Sequence, residues 1–279
     1  MYENYQECIE KLHKIRDQIS SNPTRISDNF GPVIIGIMGK GLVGQGAWEV
    51  IQHLGAVEIS LSDLEDISWL SSGTIYVVQL YQSSKSSDLS PEEQKAHRIK
   101  NLEQIPNYLL KLTVFINWIA WSPSYPKMLT TDQMMQILKD PLNRLLVIGD
   151  AACLPDGPIE FLTHERSIEN PFWYMGKYWQ LQTTCPDELN HSIYYVYFML
   201  NQLIDVEKGM VATPDEAGDQ SIIYLAVENL PSELPKDASK MFANSLTDYL
   251  KQINSGVKSH GAITEATIPE DLKTGMIIC

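Results

Sequence analysis

The chain has 279 residues, 44% of them hydrophobic and 20% charged, enough for a sizeable core in one large domain or two small ones. Lys and Arg number 21 against 35 Asp and Glu, a formal net charge of −14, which argues against a nucleic-acid groove or an anionic membrane surface as partner. No apolar run is long enough to span a bilayer, and the N-terminal "MYENYQECIEKLHKIRDQI", with four acids, fits neither a secretory signal nor a transit peptide, so a cytoplasmic protein is expected.

Tyr5, Cys8, Ile9, Leu12, Ile15 and Ile19 recur at helical spacing and predict an amphipathic helix over 3–19, ended by the polar loop around Pro23. The chain then alternates. Strands are predicted at 33–38, 56–61, 75–80, 113–117, 145–149 and 221–227, with helices at 44–54, 91–110 and 130–138, the last opened by Thr130 and Thr131. A polar loop spans 81–94. Residues 186–207 form an aromatic-rich helix, read as core or a subunit interface of a possible homodimer, and 234–253 a final long helix before an irregular tail. Apolar strands alternating with helices predict an α/β, doubly wound, mostly parallel sheet with helices on both faces. The organisation expected is an N-terminal helix and linker (1–29) and one nucleotide-binding domain (30–279), with a helical insertion at about 177–210.

Cys8, Cys153, Cys185 and Cys279 are far apart, form no CxxC pair and have no His at ligand spacing, so free thiols are expected and no metal site. Cys153 has no neighbouring His to activate it as a nucleophile.

The chemical signal lies in "VIIGIMGKGLVGQGAWEV" (33–50). A strand runs into a glycine cluster that opens a helix, which aims unpaired backbone N–H groups and the helix dipole at one spot. Gly39 suits the tight turn, Gly41 the approach of a phosphate, and Gly44 close helix–strand contact; Lys40, Leu42 and Val43 complete the cradle. This is the Rossmann signature for a nicotinamide dinucleotide. A glycine cluster alone also serves plain turns; here the strand before it and the helix after it favour the cofactor. NAD sites place an acid about twenty residues past the glycines to bind the ribose hydroxyls. Ser62 falls near that place with Asp63 beside it, so NAD and NADP are both admitted.

Four further stretches, "INWIAWSPSYPKMLT" (116–130), "VIGDAACLPDGPIEF" (147–161), "SIENPF" (167–172) and "YLAVENLPSELPKDASKMF" (224–242), follow the glycine turn in order. Together, over about residues 30–270, they resemble the nucleotide-binding half of lysine–ketoglutarate reductase, the saccharopine-forming module of the aminoadipate-semialdehyde synthases, a relative of alanine dehydrogenase. The resemblance implies reduction of an imine of lysine and 2-oxoglutarate by a nicotinamide cofactor. It places Gly39, Gly41 and Gly44 on the pyrophosphate, Asn117 and Trp118 along the cofactor, and Glu228, Asn229 and Leu230 at its nicotinamide end. For Asn117, Asp150 and Glu228 the plain alternative is loop capping by a polar side chain.

Three departures from the family stand out. Its separate N-terminal domain, which supplies a catalytic Lys and His, has only the helix 3–19 as counterpart. Its loop after the fifth strand, Asp-x-x-x-Asp-x-Gly-Gly, reads here Asp150-Ala-Ala-Cys-Leu154-Pro-Asp156-Gly157, so the second acid has become Leu154 and the first Gly has become Asp156. A helix-sized insertion separates "NPFWY" from the strand before "ENLP". Asp150, Asp156 and Glu228 are the weak catalytic candidates; Lys40 and Lys127 are the nearest cations, and His164 and His191 lie near the divergent segments. Two classes of function follow. One is an NAD(P)-dependent oxidoreductase of the saccharopine or opine type acting on an imine, amino acid or keto acid, with either a partner chain supplying a substrate domain or local substitutes from the insertion. The other is a non-catalytic cofactor-binding or regulatory subunit, and the chain can also be a piece of a larger bifunctional enzyme.

Overall fold

Strand β1 (Val33–Met38) is buried along all six residues. A strand with no solvent-facing side needs cover on both faces, the setting of a parallel sheet inside helices. The structure, a computed structural model, describes residues 4–21, 31–82, 89–162, 167, 172–175, 181–182, 222–227, 231 and 234–260. Chain contacts divide it into two units, Gln6–Leu230 and Pro231–Cys279, the second taking in Tyr2–Tyr5.

In the first unit, helix α1 (Tyr5–Ser21) buries Cys8, Ile9, Leu12, Ile15 and Ile19, the face read from the sequence. The chain continues through β1, α2 (Leu42–Gln52), β2 (Val57–Ile59), β3 (Ile75–Gln79), α3 (Pro91–Glu103), α4 (Ile105–Leu109), β4 (Val114–Asn117), α5 (Thr131–Lys139), β5 (Val147–Asp150), β6 (Phe172–Met175), β7 (Leu181–Gln182) and β8 (Ile222–Leu225). The eight strands form one sheet in the order β2-β3-β1-β4-β5-β8-β6-β7. The first six are parallel, and β6 and β7 add an antiparallel edge. The expected doubly wound, Rossmann-like α/β class is therefore present.

The two-residue period of the strands sorts the core. Ile34 and Met38 of β1, Tyr76 and Val78 of β3, Phe115, Ile148 and Tyr224 pack in one cluster with Leu102, Ile105, Leu109 and Leu138 of α3–α5. Val33, Ile35 and Ile37 are buried on the opposite face. Gly36 belongs to the first row because a Cβ there would stand 2.4 Å from Leu112 Cδ1.

Three boundaries differ from the sequence reading for local reasons. The helix expected over 91–110 breaks at Gln104, because Pro106 has no N–H to continue the ladder. Strand β2 stops at Ile59, because Ser60 and Asp63 cap each other and start a 3-10 turn over Leu61–Leu64. Helix α5 starts at Thr131, after Thr130, whose side chain accepts from Gln133 N. The edge strands β6 and β7 have no counterpart among the predicted strands, and β7 falls where the helical insertion was expected. The helix expected at 186–207 lies outside the described residues.

In the second unit, helix α6 (Pro235–His260) runs past the expected end at 253. Tyr5 N donates to Asp237 Oδ2 in its first turn (2.7 Å). Met241, Phe242 and Leu250 on it are exposed. Among the described residues no helix is long and apolar enough to cross a membrane.

Candidate functional site

The glycine turn is built by contacts that distinguish its three glycines. Trp118 N donates to Met38 O (2.8 Å), so the chain leaves β1 beside the end of β4. Gly39 follows with φ +129°, a region that L side chains rarely adopt, and a Cβ there would stand 2.9 Å from Trp118 O. A Cβ on Gly44 would stand 2.4 Å from Gly39 O. Both positions are glycine because the protein's own backbone leaves no room. Gly41 differs: its φ is −69°, and a Cβ there would meet nothing within 4 Å.

Gly41 is also the N-cap of α2, with no side-chain cap and no acid in the first turn. The N–H groups of Leu42, Val43 and Gly44 precede the first intrahelical donor, Gln45 N, which reaches Gly41 O (2.9 Å). Leu42 and Val43 are 87% and 59% exposed, so this end of the helix is open to solvent. Lys40 is exposed on the turn, and Gln45 Nε2 donates to its carbonyl (3.2 Å). Beside the turn, Trp118 Nε1 is a buried donor with no hydrogen-bond partner among the described residues.

The strand neighbouring the turn is β3, not β2. Dinucleotide-binding sheets usually run 3-2-1-4-5-6; here β2 and β3 have exchanged places. Gln79, at the end of β3, donates from Nε2 to Gly39 O (2.9 Å) and accepts at Oε1 from Tyr81 N (3.2 Å). Ser62 and Asp63, about twenty residues past the glycines, lie beyond β2, one strand farther from the turn than β3. The Asp63 carboxylate accepts from Ser60 N (2.7 Å) and Ser60 Oγ (2.6 Å), and these hydrogen bonds hold its pKa below the usual carboxylate value.

Asn117 and Asp150 are cross-strand neighbours in register, and both are buried. Asn117 Nδ2 donates to Asp150 Oδ1 (2.8 Å), while its Oδ1 accepts from Ile119 N (3.2 Å). Asp150 also accepts from Tyr224 Oη at Oδ2 (2.8 Å) and from Ala152 N at Oδ1 (3.1 Å). Burial drives the Asp150 pKa up, although each of these hydrogen bonds pulls it down, and burial against that carboxylate pushes Tyr224 well above its ordinary value. The Asn117 and Asp150 side chains are thus occupied in tying β4, β5 and β8 together, the capping alternative named above.

The loop after β5 turns sharply. Cys153 and Asp156 have positive φ, 34° and 56°. Asp156 takes the left-handed conformation where the resembled pattern has Gly, a position that a short polar side chain tolerates. Leu154 is 44% exposed, and Gly157 N closes the turn on Leu154 O (2.9 Å). Cys153 is a thiol whose Sγ donates to Val227 O (3.5 Å). Lys127 reaches across from the β4 loop, Nζ donating to Asp156 O. On the other side of that loop, Arg98 of α3 donates to Ala120 O.

The structure therefore gathers Gly39, Lys40, Gly41, Leu42, Val43, Gly44 and Trp118 at one turn, and sets Asn117 and Asp150 together beneath it. Glu228, Asn229, Leu230, His164 and His191 lie outside the described residues. Gln79, Arg98 and Tyr224 were missed from the sequence; each acts through a partner at least 22 positions away, with no local pattern to reveal it.

No family model matches the chain. Among curated proteins it is similar to the mitochondrial alpha-aminoadipic semialdehyde synthases of Bos taurus and Rattus norvegicus, each 21% identical over 278 residues, covering 91% of this chain and 26% of the relative. The alpha-aminoadipic semialdehyde synthase of Arabidopsis thaliana is 23% identical over 243 residues, covering 80% of this chain and 20% of the relative. The chain spans about a quarter of the length of the first two relatives. The resemblance read from the five motifs is thus matched, at low identity, by similarity along most of the chain to aminoadipic semialdehyde synthases.

Proposed function

We propose that this chain binds a nicotinamide dinucleotide at the turn 39–44 and belongs to an NAD(P)-dependent oxidoreductase of the saccharopine type, acting on an imine, an amino acid or a keto acid. The observation that carries the cofactor reading is the open space at Gly41. Gly39 and Gly44 are explained by internal packing, whereas nothing among the described residues requires Gly41 to lack a side chain. A ligand that must approach the backbone closely does require it. The uncapped N–H groups of Leu42, Val43 and Gly44, the absence of an acid in the first helical turn and the exposed Lys40 suit an anionic pyrophosphate. Trp118 Nε1 is a further donor that a bound group could satisfy. When bound, the nicotinamide supplies or accepts the hydride; this chain's residues bind the phosphates and orient the ring. The substrate class rests on the similarity to aminoadipic semialdehyde synthases.

The same geometry favours NADP(H). The end of the strand beside the turn is the neutral Gln79, engaged with Gly39 O, and the nearest acid beyond β2, Asp63, is engaged by Ser60. Gln79 brings no carboxylate to the strand end beside the turn, where one would chelate the ribose hydroxyls or repel a 2′-phosphate.

The second reading, a cofactor-binding subunit without turnover, is favoured by two residues. Leu154 stands where the resembled loop has an acid, and the Asp150 carboxylate is buried and engaged by Asn117, Tyr224 and the backbone of Ala152 and Cys153. Titration of the protein with NADPH and NADH, followed by tryptophan fluorescence, tests cofactor binding. We expect saturation with NADPH; no response to either cofactor at millimolar concentration defeats both readings. Oxidation of NADPH on adding lysine and 2-oxoglutarate then separates the enzyme from the silent subunit.

A further inference from the structure

Two glutamines hold consecutive carbonyls of the glycine turn. Gln79 Nε2 donates to Gly39 O (2.9 Å), and Gln45 Nε2 donates to Lys40 O (3.2 Å). The Gln79 amide has one workable orientation, because its Oε1 accepts from Tyr81 N (3.2 Å) while its Nε2 serves a carbonyl. Gly39 O is also confined from the helix side, since a Cβ on Gly44 would stand 2.4 Å from it. This carbonyl therefore points into the protein, between the end of β3 and the first turn of α2.

The peptide bonds of the turn are trans, and in a trans peptide the N–H points opposite to the C=O. With Gly39 O held by Gln79, the Lys40 N–H faces away from the end of β3 and from the first turn of α2. With Lys40 O held by Gln45, the Gly41 N–H faces away from that side chain. Neither N–H has an acceptor among the described residues, and the same holds for those of Leu42, Val43 and Gly44. Glycines at 39 and 41 let both peptide planes around Lys40 rotate at little steric cost, so the glycines alone do not fix these directions. The two side-chain amides do. Satisfying a buried carbonyl does not account for Gln45, because its bond to Lys40 O is exposed and water could take its place.

We propose that Gln79 and Gln45 are positioning residues for the cofactor, holding the peptide planes of the turn so that the Lys40 and Gly41 N–H groups are set for the pyrophosphate before it arrives. The inference rests on the dinucleotide reading of the same turn. Donors fixed in advance lose little freedom on binding, and hydrogen bonds from them to an anion are of the strong, charge-assisted kind. The role also explains an amide at the end of β3. A glutamate of the same length could still accept from Tyr81 N, but its carboxylate has no N–H to give to Gly39 O.

The test is titration of the whole chain with NADPH and with NADH by tryptophan fluorescence, with thermal unfolding of each variant measured without cofactor. Gln79→Met removes both hydrogen bonds of the amide and should weaken NADPH about tenfold or more, the effect of losing a hydrogen bond to a charged group. Gln79→Glu keeps the size and the bond from Tyr81 N but sets an acceptor against Gly39 O. It should weaken NADPH and NADH alike, by at least as much. Gln45→Ala, at an exposed helix position, should weaken NADPH roughly threefold or more with no fall in Tm, a split that loss of a merely structural contact does not produce. The proposal is overturned by Gln79→Met or Gln45→Ala binding NADPH like wild type, or by Gln45→Ala losing affinity only together with Tm. It is equally overturned by Gln79→Glu binding NADH more tightly than wild type, which would place that side chain at the ribose instead of behind the turn. If the Gln79 variants do not fold, Gln45→Ala decides. Failure of the cofactor reading shows separately, as wild-type protein that binds neither NADPH nor NADH.

Discussion

Gly41→Ala separates a phosphate cradle from a plain turn more cleanly than any other change at this site. Its backbone, φ −69° and ψ −176°, is open to alanine, and the new Cβ has no protein atom within 4 Å. Two small effects oppose each other: alanine is a poorer N-cap than glycine, while it lowers the entropy of the unfolded chain. The net change in stability should stay within about 1 kcal/mol, a shift in Tm of roughly 2–4 °C at most. Cofactor binding has no such cancellation. A phosphate oxygen accepting from these N–H groups must come within ~3 Å of them, through space that the methyl group now fills. NADPH affinity should fall at least about tenfold, equivalent to about 1.4 kcal/mol. Gly44→Ala is the contrasting variant, because its Cβ would lie 2.4 Å from Gly39 O. It should cost about 1–3 kcal/mol of stability with or without cofactor. Thermal unfolding and NADPH titration of both variants decide the matter. A Gly41→Ala protein that binds NADPH like wild type would refute the assignment of this turn.

The remaining predictions concern the buried network beneath the turn. Tyr224→Phe keeps the ring against Phe161, at 5.4 Å between centroids, but removes the hydroxyl that Asp150 accepts from. It should lower stability by about 1–3 kcal/mol in denaturant unfolding, and an unchanged midpoint would show that the hydrogen bond contributes nothing net. Burial raises the Asp150 pKa in the folded state above its unfolded value near 3.9. Its favourable contribution is therefore fully present below about pH 4 and lost as pH rises through the raised folded value. In Asp150→Asn that titration is gone, so Tm measured from pH 4 toward neutrality should shift in the variant's favour relative to wild type; parallel curves would contradict the raised pKa.

Much of this protein is legible residue by residue because local periodicity and caps decide it. The spacing of Cys8, Ile9, Leu12, Ile15 and Ile19 marks the buried face of α1, and the continuous apolar run Val33–Met38 marks a strand covered on both sides. The glycine turn is legible too, since a strand, glycines and a helix start follow one another in the chain. Pro106 and the Ser60–Asp63 cap were equally visible, and reading them would have corrected the bounds of α3 and β2.

Only the tertiary structure decided which strand stands next to β1. Distance along the chain points to Ser62 and Asp63 for the ribose acid; the sheet sets β3 beside β1 instead and brings Gln79 to Gly39. Strand order depends on long-range pairing and on how each crossover packs, and a chain read locally carries neither. The same holds for the side chains of Asn117 and Asp150. In the sequence they are polar residues at strand ends, free to face a ligand; in the fold, register pairs them with each other, and Tyr224, 74 positions beyond Asp150, completes the set. Sequence by itself determined the parallel strands, the class of the sheet and the turn that can hold an anion. Tertiary structure decided which polar groups remain available beside that turn, because a buried polar group must be satisfied by its neighbours in space.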